Sequence, residues 1–432
     1  MGKALVIVES PAKAKTIGKF LGSDYSVVAS RGHIRDLPKN KIGVALTEND
    51  VTVDYVTTDD HRLVVNQLVK LAKEAKGKIY LATDEDREGE AISWHLCHVL
   101  GVDPEQTPRI VFHEITKGAI QHAIDNPRKL DMNAVNAQQA RRILDRIVGY
   151  TLSPLLNSKI QRGLSAGRVQ SATLKLIVDK EREIQAFVPI VYYTIPAVFI
   201  DNIEGTLVSY KGNKVNAKLP FTDKLLAEQV YQLAKEDNYK VVSIEDKESS
   251  SKPLPPFMTS TLQQTASNRL GYSPDRTMRI AQKLYEGVNT PDGQMGVITY
   301  MRTDSLNLAK EAVEVCRELI LQKFGQEYLP NQMNVYTSKA KGAQEAHEAI
   351  RPTNVKFTPE IAQKYLEEDE LKLYRLIWNR YVACQMTNSR ASIQNVLIDN
   401  GSVVYKLNGR KILFDGFTKV WGNDDSKDKI LP

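Results

Sequence analysis

Short apolar runs alternate with helix-start signals in the first third of the sequence, and this alternation restricts the fold more than any other feature. Residues 4–8 form a continuous apolar run, and Ser10 with the proline behind it is typical of a helix N-terminus. Residues 79–83 and 110–112 repeat the pattern of a buried strand. Strands that alternate with helices in this way predict a parallel-sheet α/β domain reaching to about residue 145.

Acidic side chains follow two of these predicted strands. Glu9 comes directly after the first strand, and Asp84 and Asp86 come directly after residues 79–83. In open α/β sheets, binding groups collect at the carboxyl ends of the strands. Two carboxylates this close repel each other unless a cation lies between them, and Mg²⁺ prefers such hard oxygen ligands. The pattern therefore predicts a magnesium site rather than a solvated acidic loop, with Glu88 as a further candidate ligand.

A second informative stretch is residues 296–305, GVITYMRTDS. The β-branched run at 297–299 predicts an extended backbone, in which side chains two positions apart share a face. Tyr300 and Arg302 would then project together, so that a phenol can attack a phosphodiester whose phosphate the guanidinium grips. Taken alone, a buried structural tyrosine beside a solvent-facing arginine is the simpler interpretation.

The whole stretch resembles the active-site signature of type IA DNA topoisomerases. Four further blocks resemble the same family in the same order: 8–13 (VESPAK), 84–90 (DEDREGE), 163–171 (GLSAGRVQS) and 345–352 (EAHEAIRP). Glu9 with the Asp-x-Asp-x-Glu block is similar to the Toprim pattern of topoisomerases, primases and some nucleases. The resemblance covers nearly the whole chain and is closest to bacterial topoisomerase I.

The resemblance implies a multidomain fold that combines α/β, α and β parts, in which a Toprim parallel-sheet domain is followed by helical and β-rich arch domains. The implied domains are a Toprim domain at 1–146 with an excursion at about 38–62, a helical single-strand-binding segment at 147–188, a β-rich arch domain at 189–251 and 388–432, and a helical domain at 252–387 that carries Tyr300. Because the tyrosine and the acids fall in different domains, the active site is expected at an interface that can open.

Turn residues give two local expectations in the β-rich part. Residues 249–256 are rich in serine and proline, which predicts a linker. Asn400 and Asn408 are each followed by glycine, and this dipeptide predicts a hairpin turn at each position.

The resemblance also implies catalytic roles. Tyr300 is the expected nucleophile that forms a 5′-phosphotyrosine, and Arg302 stabilises the phenolate and the phosphate. Glu9 protonates the leaving hydroxyl, Lys13 assists electrostatically and His347 touches the scissile phosphate. The implied metal ligands for Mg²⁺ are Glu9, Asp84, Asp86 and Glu88.

DNA-binding residues are expected along a helix near residues 134–150 and in the glycine-rich block after it. Glycines and a serine beside an arginine suit the approach of backbone amides to phosphate, whereas four-residue spacing on the helix also fits an ion-paired surface. The residues that the resemblance places against DNA are His33, Arg141, Arg142, Asp145, Tyr150, Asn157, Ser165, Ala166, Gly167, Arg168, Val169, Gln170 and Arg302.

The implied function is Mg²⁺-dependent, ATP-independent cleavage and rejoining of one DNA strand, which relaxes negatively supercoiled DNA. The sequence contains no Gly-x-x-x-x-Gly-Lys-Ser/Thr loop, in agreement with a reaction that needs no nucleotide. The alternatives are a DNA-binding or DNA-cleaving fragment without strand passage, a topoisomerase III-like decatenase, and a Toprim nuclease or primase. By comparison with the family, the second β-rich half stops soon after Asn408, so we expect this chain alone to relax negatively supercoiled DNA poorly or not at all and to cleave DNA weakly at most.

Composition agrees with a DNA partner but does not require one. The net charge is +6, and no apolar run approaches the roughly 20 residues of a membrane span. The three cysteines, Cys97, Cys316 and Cys384, are far apart, which argues against a disulfide framework or a cysteine zinc site. The resemblance implies a monomer in the bacterial cytosol, associated with the nucleoid and without a membrane partner, that binds single-stranded and negatively supercoiled DNA.

Overall fold

The computed structural model describes residues 3–48, 50–337, 348–422 and 429–431. The chain divides into two compact units, each built from segments that are distant in sequence. The first unit contains Met1–Arg182, Pro256–Ala312 and Tyr336–Trp378, and the second contains Glu183–Pro255, Val313–Val335 and Asn379–Pro432. Among the described helices, none has the length and apolar character that crossing a membrane requires.

Helices and strands succeed one another along the chain in the following order. Up to residue 186 they are β1 (Ala4–Val8), α1 (Pro11–Leu21), β2 (Tyr25–Ala29), β3 (Arg35–Asp36), β4 (Val44–Leu46), β5 (Val51–Val53), β6 (Val56–Thr57), α2 (Arg62–Glu74), β7 (Ile79–Leu81), α3 (Arg87–Leu100), α4 (Lys117–Asp125), α5 (Met132–Lys159) and α6 (Arg168–Ala186). Beyond it they are β8 (Ala197–Phe199), β9 (Ile203–Tyr210), β10 (Asn213–Lys214), α7 (Lys224–Ala234), β11 (Lys240–Ser251), α8 (Thr259–Leu270), α9 (Pro274–Glu286), β12 (Val288–Thr290), β13 (Gly293–Met295), α10 (Lys310–Phe324), α11 (Pro359–Ala362), α12 (Glu368–Cys384), β14 (Ser389–Asp399), β15 (Val403–Phe414) and α13 (Thr418–Trp421).

A parallel three-stranded sheet forms the core of the N-terminal part of the first unit. Its strand order is β2-β1-β7, and Leu5 in the central strand pairs with Ser26 on one side and Ile79 on the other. The central strand β1 is apolar along its length, as expected of a strand that is covered on both faces, and Leu5, Ile7 and Leu81 are buried together. The predicted alternation of strands and helices is confirmed.

The helices behind β1 and β7 start at residues of the predicted acidic motifs. Ser10 caps α1 by accepting a hydrogen bond from the amide of Lys13, and Asp86 caps α3 by accepting one from the amide of Gly89. The same caps fix where each strand ends and each helix begins. Glu9 and Asp84 are thereby held at the carboxyl edge of the sheet.

The prediction of a strand at residues 110–112 is wrong. The backbone makes only isolated bridges there, from Arg109 to Leu81 and to Arg128, although the amide of Ile110 still donates to the Leu81 carbonyl at 2.9 Å. No ladder continues beyond this point. The carbonyls of His113 and Ile115 accept hydrogen bonds from the amides of Tyr300 and Gly296, which belong to a distant segment of the first unit.

A six-stranded antiparallel sheet dominates the second unit. The strand order is β10-β9-β15-β14-β11, with β8 paired to β9. The predicted linker at 249–256 is wrong in its first part, because Ser249, Ser250 and Ser251 continue β11 in register with β14. Their alternating side chains fit an extended strand, and the ladder outweighs the local preference of serine for turns.

Of the two predicted hairpin turns in this sheet, one is confirmed and one is wrong. Asn400 and Gly401 connect β14 to β15, with Gly401 in the left-handed region at φ 92°. Asn408 instead lies inside β15, where it pairs with Asn395. The glycine at 409 serves close packing, because a Cβ there would lie 2.9 Å from the side chain of Leu431.

A buried histidine lies on α3 within a cluster of aromatic rings. His95 is 3% exposed, and its ring is 4.7 Å from that of Tyr55 and 4.8 Å from that of Trp94. Burial, assisted by the nearby Arg35, lowers the pKa of His95 to about 3. The folded protein therefore keeps this imidazole neutral at pH values where the unfolded chain binds a proton.

We expect His95→Gln to make the protein less sensitive to mild acid. The wild-type pKa is depressed on folding, so its stability is complete above about pH 6.5 and falls as the pH drops toward 3, by about 1.4 kcal/mol per pH unit from this one group. Urea titrations between pH 7 and pH 5, followed by tryptophan fluorescence, measure the difference. The exposed His122 gives the matched control, His122→Gln, and equal slopes in all three proteins would contradict the assignment.

Candidate active site

Most of the predicted catalytic and metal-binding residues lie around one open cavity in the first unit. The cavity is lined by Glu9, Ser10, His33, Asp84, Asp86, Glu88, Gly89, Ile92, Asp275, Met278, Arg279, Gln282, Glu286 and Arg302. Residues from the edge of the parallel sheet meet the face of α9 and the strand that carries Tyr300. His347 lies outside the described residues, so its predicted role stays a prediction.

A buried ammonium group is the centre of the cluster. The Nζ atom of Lys13 forms short ion pairs with Glu9 Oε1 and Asp84 Oδ1, and the Lys13 side chain is fully buried. An unpaired charge in such a position would be strongly unfavourable, so the two carboxylates are necessary partners. Burial by itself lowers the pKa of Lys13, but the charges of Asp84 and Glu9 outweigh it and raise that pKa.

The two carboxylates beside Lys13 differ in protonation. Burial, opposed by Lys13 and reinforced by Asp84, raises the pKa of Glu9 to about 8, whereas Lys13 holds the pKa of Asp84 low in spite of burial. Of the two carboxyl groups, Glu9 therefore holds a proton more readily and Asp84 stays ionised more readily. A carboxylic acid kept protonated beside an ionised one is the arrangement that a general acid needs.

Tyr300 is held as a neutral phenol that contacts the same acids. Its hydroxyl donates to Asp86 Oδ2 at 2.5 Å, and its side chain is 4% exposed. Burial together with the charges of Asp84 and Asp86 raises the pKa of Tyr300 far above the usual value, while Arg302 acts in the opposite direction. For this phenol to ionise, a positive charge must stabilise the phenolate or a neighbouring group must accept the proton.

The backbone around Tyr300 is extended and is paired on both edges. On one edge, the amides of Gly296 and Tyr300 donate to the carbonyls of Ile115 and His113 at 2.9 and 2.8 Å. On the other edge, the amide of Val297 donates to Leu284 and that of Thr299 donates to Arg351, at 2.8 and 2.9 Å. We call residues 296–300 the nucleophile strand; among the described residues this extended segment forms an isolated bridge, from Ile298 to Pro352, rather than a ladder. Its alternating hydrogen bonds fix the direction in which the phenol projects.

A buried arginine holds the acidic loop, residues 82–86, which connects β7 to α3. Arg109 is fully buried and donates to the carbonyls of Thr83 and Asp84 at 2.8 and 2.6 Å, and its Nε donates to Glu90 Oε1 at 2.9 Å. Glu90 in turn accepts a hydrogen bond from Arg128. The sequence motifs did not reveal the pair of Arg109 and Glu90. The signal that could have done so is the position of Arg109, directly before the apolar run at 110–112.

Glu88 has partners that differ from those of the other acids. Its Oε2 atom is 3.2 Å from His33 Nε2 and accepts a hydrogen bond from Gln138 at 3.1 Å. The hydrogen bond from His33 lowers the pKa of Glu88. Because Gln138 belongs to α5, this contact joins the cavity to the helix on which most predicted DNA-binding residues lie.

A groove follows one face of α5 away from the cavity. It is lined by Arg142, Asp145, Arg146, Gly149, Tyr150, Ser153, Pro154 and Asn157, whose spacing of three to four positions places them on one side of the helix. Two of its charged groups pair within the protein, Arg142 with Asp36 and Asp145 with Arg168. Arg141 is exposed to solvent.

The glycine-rich block packs against the end of this groove. Asn157 donates to the carbonyl of Leu164 at 2.6 Å, and the Gly163 amide donates to the Asn157 side chain at 2.6 Å. The amides of Ala166 and Gly167 donate to serine hydroxyls at 3.0 and 3.3 Å. Amides expected to meet phosphate are therefore hydrogen-bonded within the protein.

The remaining predicted residues of the block are its surface groups. Gln170 donates to Ser165, Arg168 pairs with Asp145, and the apolar side chain of Val169 is 55% exposed. Tyr150 donates to the carbonyl of Lys39 at 2.5 Å. The structure thus gathers the predicted residues into two neighbouring groups, one around the cavity and one along the α5 groove.

The chemistry of the acids suits a hard divalent cation. Glu9, Asp84, Asp86 and Glu88 supply carboxylate oxygens, and among the described residues Glu9 Oε2 is a buried oxygen that has no hydrogen-bond partner. Within the described part of the chain, no three metal-binding side chains converge on one point. The donor set fits the ion, and each of the other carboxylates is engaged with a protein neighbour.

Two family models match the chain. Residues 4–115 match the Toprim domain, and residues 129–432 match the model described as DNA topoisomerase. The DNA topoisomerase 1 of Campylobacter jejuni is 61% identical over 432 residues, and that of Helicobacter pylori strain 26695 is 55% identical over 430 residues. Each match covers 100% of this chain, but only 61% and 58% of the two relatives, so the chain spans about three fifths of their length.

A solved structure agrees with these matches. Full-length topoisomerase I from Thermotoga maritima superposes with a TM-score of 0.86 at 45% sequence identity, covering 99% of this chain and 68% of that one. The fold class expected from the sequence is confirmed, as is the resemblance on which that expectation was based.

We expect Glu90→Gln to lower the free energy of unfolding by about 3 kcal/mol, because Arg109 would keep a buried charge without its anionic partner. Chemical denaturation measures the change. The control is Glu368→Gln, which breaks the exposed pair with Lys372 and should leave the free energy of unfolding nearly unchanged. A loss no larger for Glu90→Gln than for the control would mean that the buried pair does not support the loop.

Proposed function

The chain belongs to the type IA family of bacterial DNA topoisomerases, and from this premise we propose that it cleaves and rejoins one strand of DNA through Tyr300. One observation carries the proposal: the Tyr300 hydroxyl is bound to Asp86 beside the buried cluster of Lys13, Glu9 and Asp84. The phenol therefore contacts an acid that lines the cavity, and Glu9 and Asp84 line the same cavity.

The proposed cleavage step exchanges one ester for another. The oxygen of Tyr300 attacks phosphorus while its proton passes to Asp86, which already accepts it in a hydrogen bond. The bond from phosphorus to the 3′ oxygen breaks, and Glu9 gives its proton to that oxygen. The products are a 5′-phosphotyrosine and a free 3′-hydroxyl, and the same transfers in reverse restore the strand.

Positive side chains support the charge that develops on phosphate. Arg302 lines the cavity, and a guanidinium can hold two phosphate oxygens at once. Lys13 compensates the negative charge of Glu9 when that residue loses its proton. The attack needs this compensation, because the surrounding acids otherwise hold the phenol in its neutral form.

We further propose that Mg²⁺ assists the reaction and that Glu9, Asp84, Asp86 and Glu88 would hold it. The ion would supply positive charge beside the phosphodiester and the 3′-hydroxyl. The support is the set of hard oxygen donors at the sheet edge, including the unpartnered oxygen of Glu9.

The α5 groove is the proposed path of single-stranded DNA. Arg141 and Arg142 offer phosphate contacts, and Tyr150 offers an aromatic face, which is the combination that single-strand-binding surfaces use. The contact between Gln138 and Glu88 connects this groove to the cavity.

Because the chain spans about three fifths of the length of its relatives, relaxation of negatively supercoiled DNA is proposed for the whole protein.

We expect Tyr300→Phe to abolish covalent capture of DNA, because the attacking oxygen is lost while the ring remains. An end-labelled single-stranded oligonucleotide is incubated with protein and Mg²⁺, and denaturation then reveals labelled protein. Tyr405→Phe is the control, since it removes a buried tyrosine hydroxyl of the other unit, bound to Ile195. Label on the Tyr300→Phe protein would refute the assignment of the nucleophile.

We expect Asp84→Asn to slow rejoining more than cleavage and to raise the Mg²⁺ concentration for half-maximal rejoining roughly tenfold, because a charged oxygen donor is lost. Rejoining is followed by adding high salt to preformed adduct at several Mg²⁺ concentrations. Asp275→Asn changes a carboxylate that lines the same cavity but pairs with Arg279, so it should leave the requirement unchanged. An unaltered requirement in Asp84→Asn would place the metal elsewhere.

A further inference from the structure

A second tyrosine occupies the interior of the acidic cluster. Tyr285 is the penultimate residue of α9 and is fully buried. Its hydroxyl donates to Asp84 Oδ1 at 3.3 Å, the Nζ atom of Lys13 lies 4.9 Å from the centre of its ring, and its ring centre is 5.2 Å from that of Tyr300. One side chain therefore contacts a cation, an acid and the proposed nucleophile.

These contacts join two sequence segments of the first unit, and we call the junction between these segments the boundary. Lys13 and Asp84 belong to the N-terminal segment, whereas Tyr285 and Tyr300 belong to the segment Pro256–Ala312. The same boundary is crossed by the Gly296 and Tyr300 amide hydrogen bonds already described, and by a hydrogen bond from Thr16 to the carbonyl of Glu286 at 2.9 Å. These polar contacts hold the nucleophile strand against the acids.

Tyr285 and the nucleophile strand are fixed to each other on their own side of the boundary. The amide of Val297 donates to the carbonyl of Leu284 at 2.8 Å. Gly296 passes so close that a Cβ at this position would lie 2.3 Å from the carbonyl oxygen of Tyr285. A motion that withdraws Tyr300 from the acids while these contacts persist therefore withdraws Tyr285 as well.

We infer that Tyr285 is a positioning residue that couples docking of the nucleophile strand to the arrangement of Lys13 and Asp84. This inference rests on the proposed strand-cleavage function. When the strand is docked, the ring of Tyr285 faces the Lys13 ammonium and its hydroxyl binds Asp84, so both charges are held for the reaction. When the strand withdraws after cleavage, the two charges lose these contacts, and rejoining requires Tyr285 to return.

The first test measures docking without any reaction. Tyr285→Phe keeps the ring and removes the hydroxyl, so the docked state should be weakened roughly tenfold, the lower range for a hydrogen bond to a charged acceptor. Hydrogen exchange resolved to single residues should then rise by that factor at the amides of Gly296 and Tyr300, which donate across the boundary. The amides of Val297 and Thr299, which donate to their own side, should be unchanged.

Tyr374→Phe is the matched control, because it also removes a fully buried tyrosine hydroxyl of the first unit, one that donates to the carbonyl of Phe357 at 2.7 Å. It should leave exchange at Gly296 and Tyr300 at the wild-type rate. Equal exchange in Tyr285→Phe and wild type would overturn the inference, as would a uniform rise at all four amides, which indicates general destabilisation.

The second test uses the oligonucleotide reaction. In Tyr285→Phe we expect the rate of adduct formation to stay within about twofold of wild type, and rejoining to slow roughly tenfold, so that adduct accumulates. Unchanged rejoining, with wild-type adduct present, would overturn the role of Tyr285 in the reaction. If wild-type protein forms no adduct, the proposed function fails, while the exchange experiment still decides whether Tyr285 holds the strand.

Discussion

The ion pairs of the buried Lys13 are the interaction on which the rest of the site depends. An ammonium group without access to water needs polar partners that accept its hydrogen bonds, and the carboxyl groups of Glu9 and Asp84 supply them from the ends of two neighbouring strands. The two strands must therefore end at the same level of the sheet, which the parallel register of β1 and β7 provides. The unequal protonation of the two acids follows from sharing a single buried cation.

The surrounding structure holds the residues after β7 and the nucleophile strand in place through contacts to their backbone. Arg109 binds the carbonyls of Thr83 and Asp84 from the interior, and its own charge is balanced by Glu90. The nucleophile strand is held by amides that donate to residues 113–115 on one edge and to Leu284 and Arg351 on the other. The acidic loop is fixed by Arg109, and the nucleophile strand has hydrogen bonds to the N-terminal segment along one edge. This arrangement suits the proposed reaction, in which the nucleophile strand must move away from the acids.

Much of this arrangement could be predicted from local sequence. The caps at Ser10 and Asp86 locate the ends of both strands, and continuous apolar runs identify a parallel sheet. Residues 110–112 and Asn408 were misjudged because local propensity describes how a segment can fold and not which neighbours it meets. Arg109 pairs through isolated bridges, and Gly409 gives room to Leu431, and both facts depend on chain segments far away in sequence.

The sequence by itself identified the candidate reactive groups: the acids at strand ends, the lysine in the first turn behind them, and a tyrosine in an extended stretch. These follow from periodicity, capping and chemical type, which are local properties. Only the tertiary structure decided that the pKa of Glu9 is raised while that of Asp84 is lowered, and that the ring of Tyr285 contacts both Lys13 and Tyr300. The reason is physical, because burial and the distances between charges arise only when distant segments are packed together.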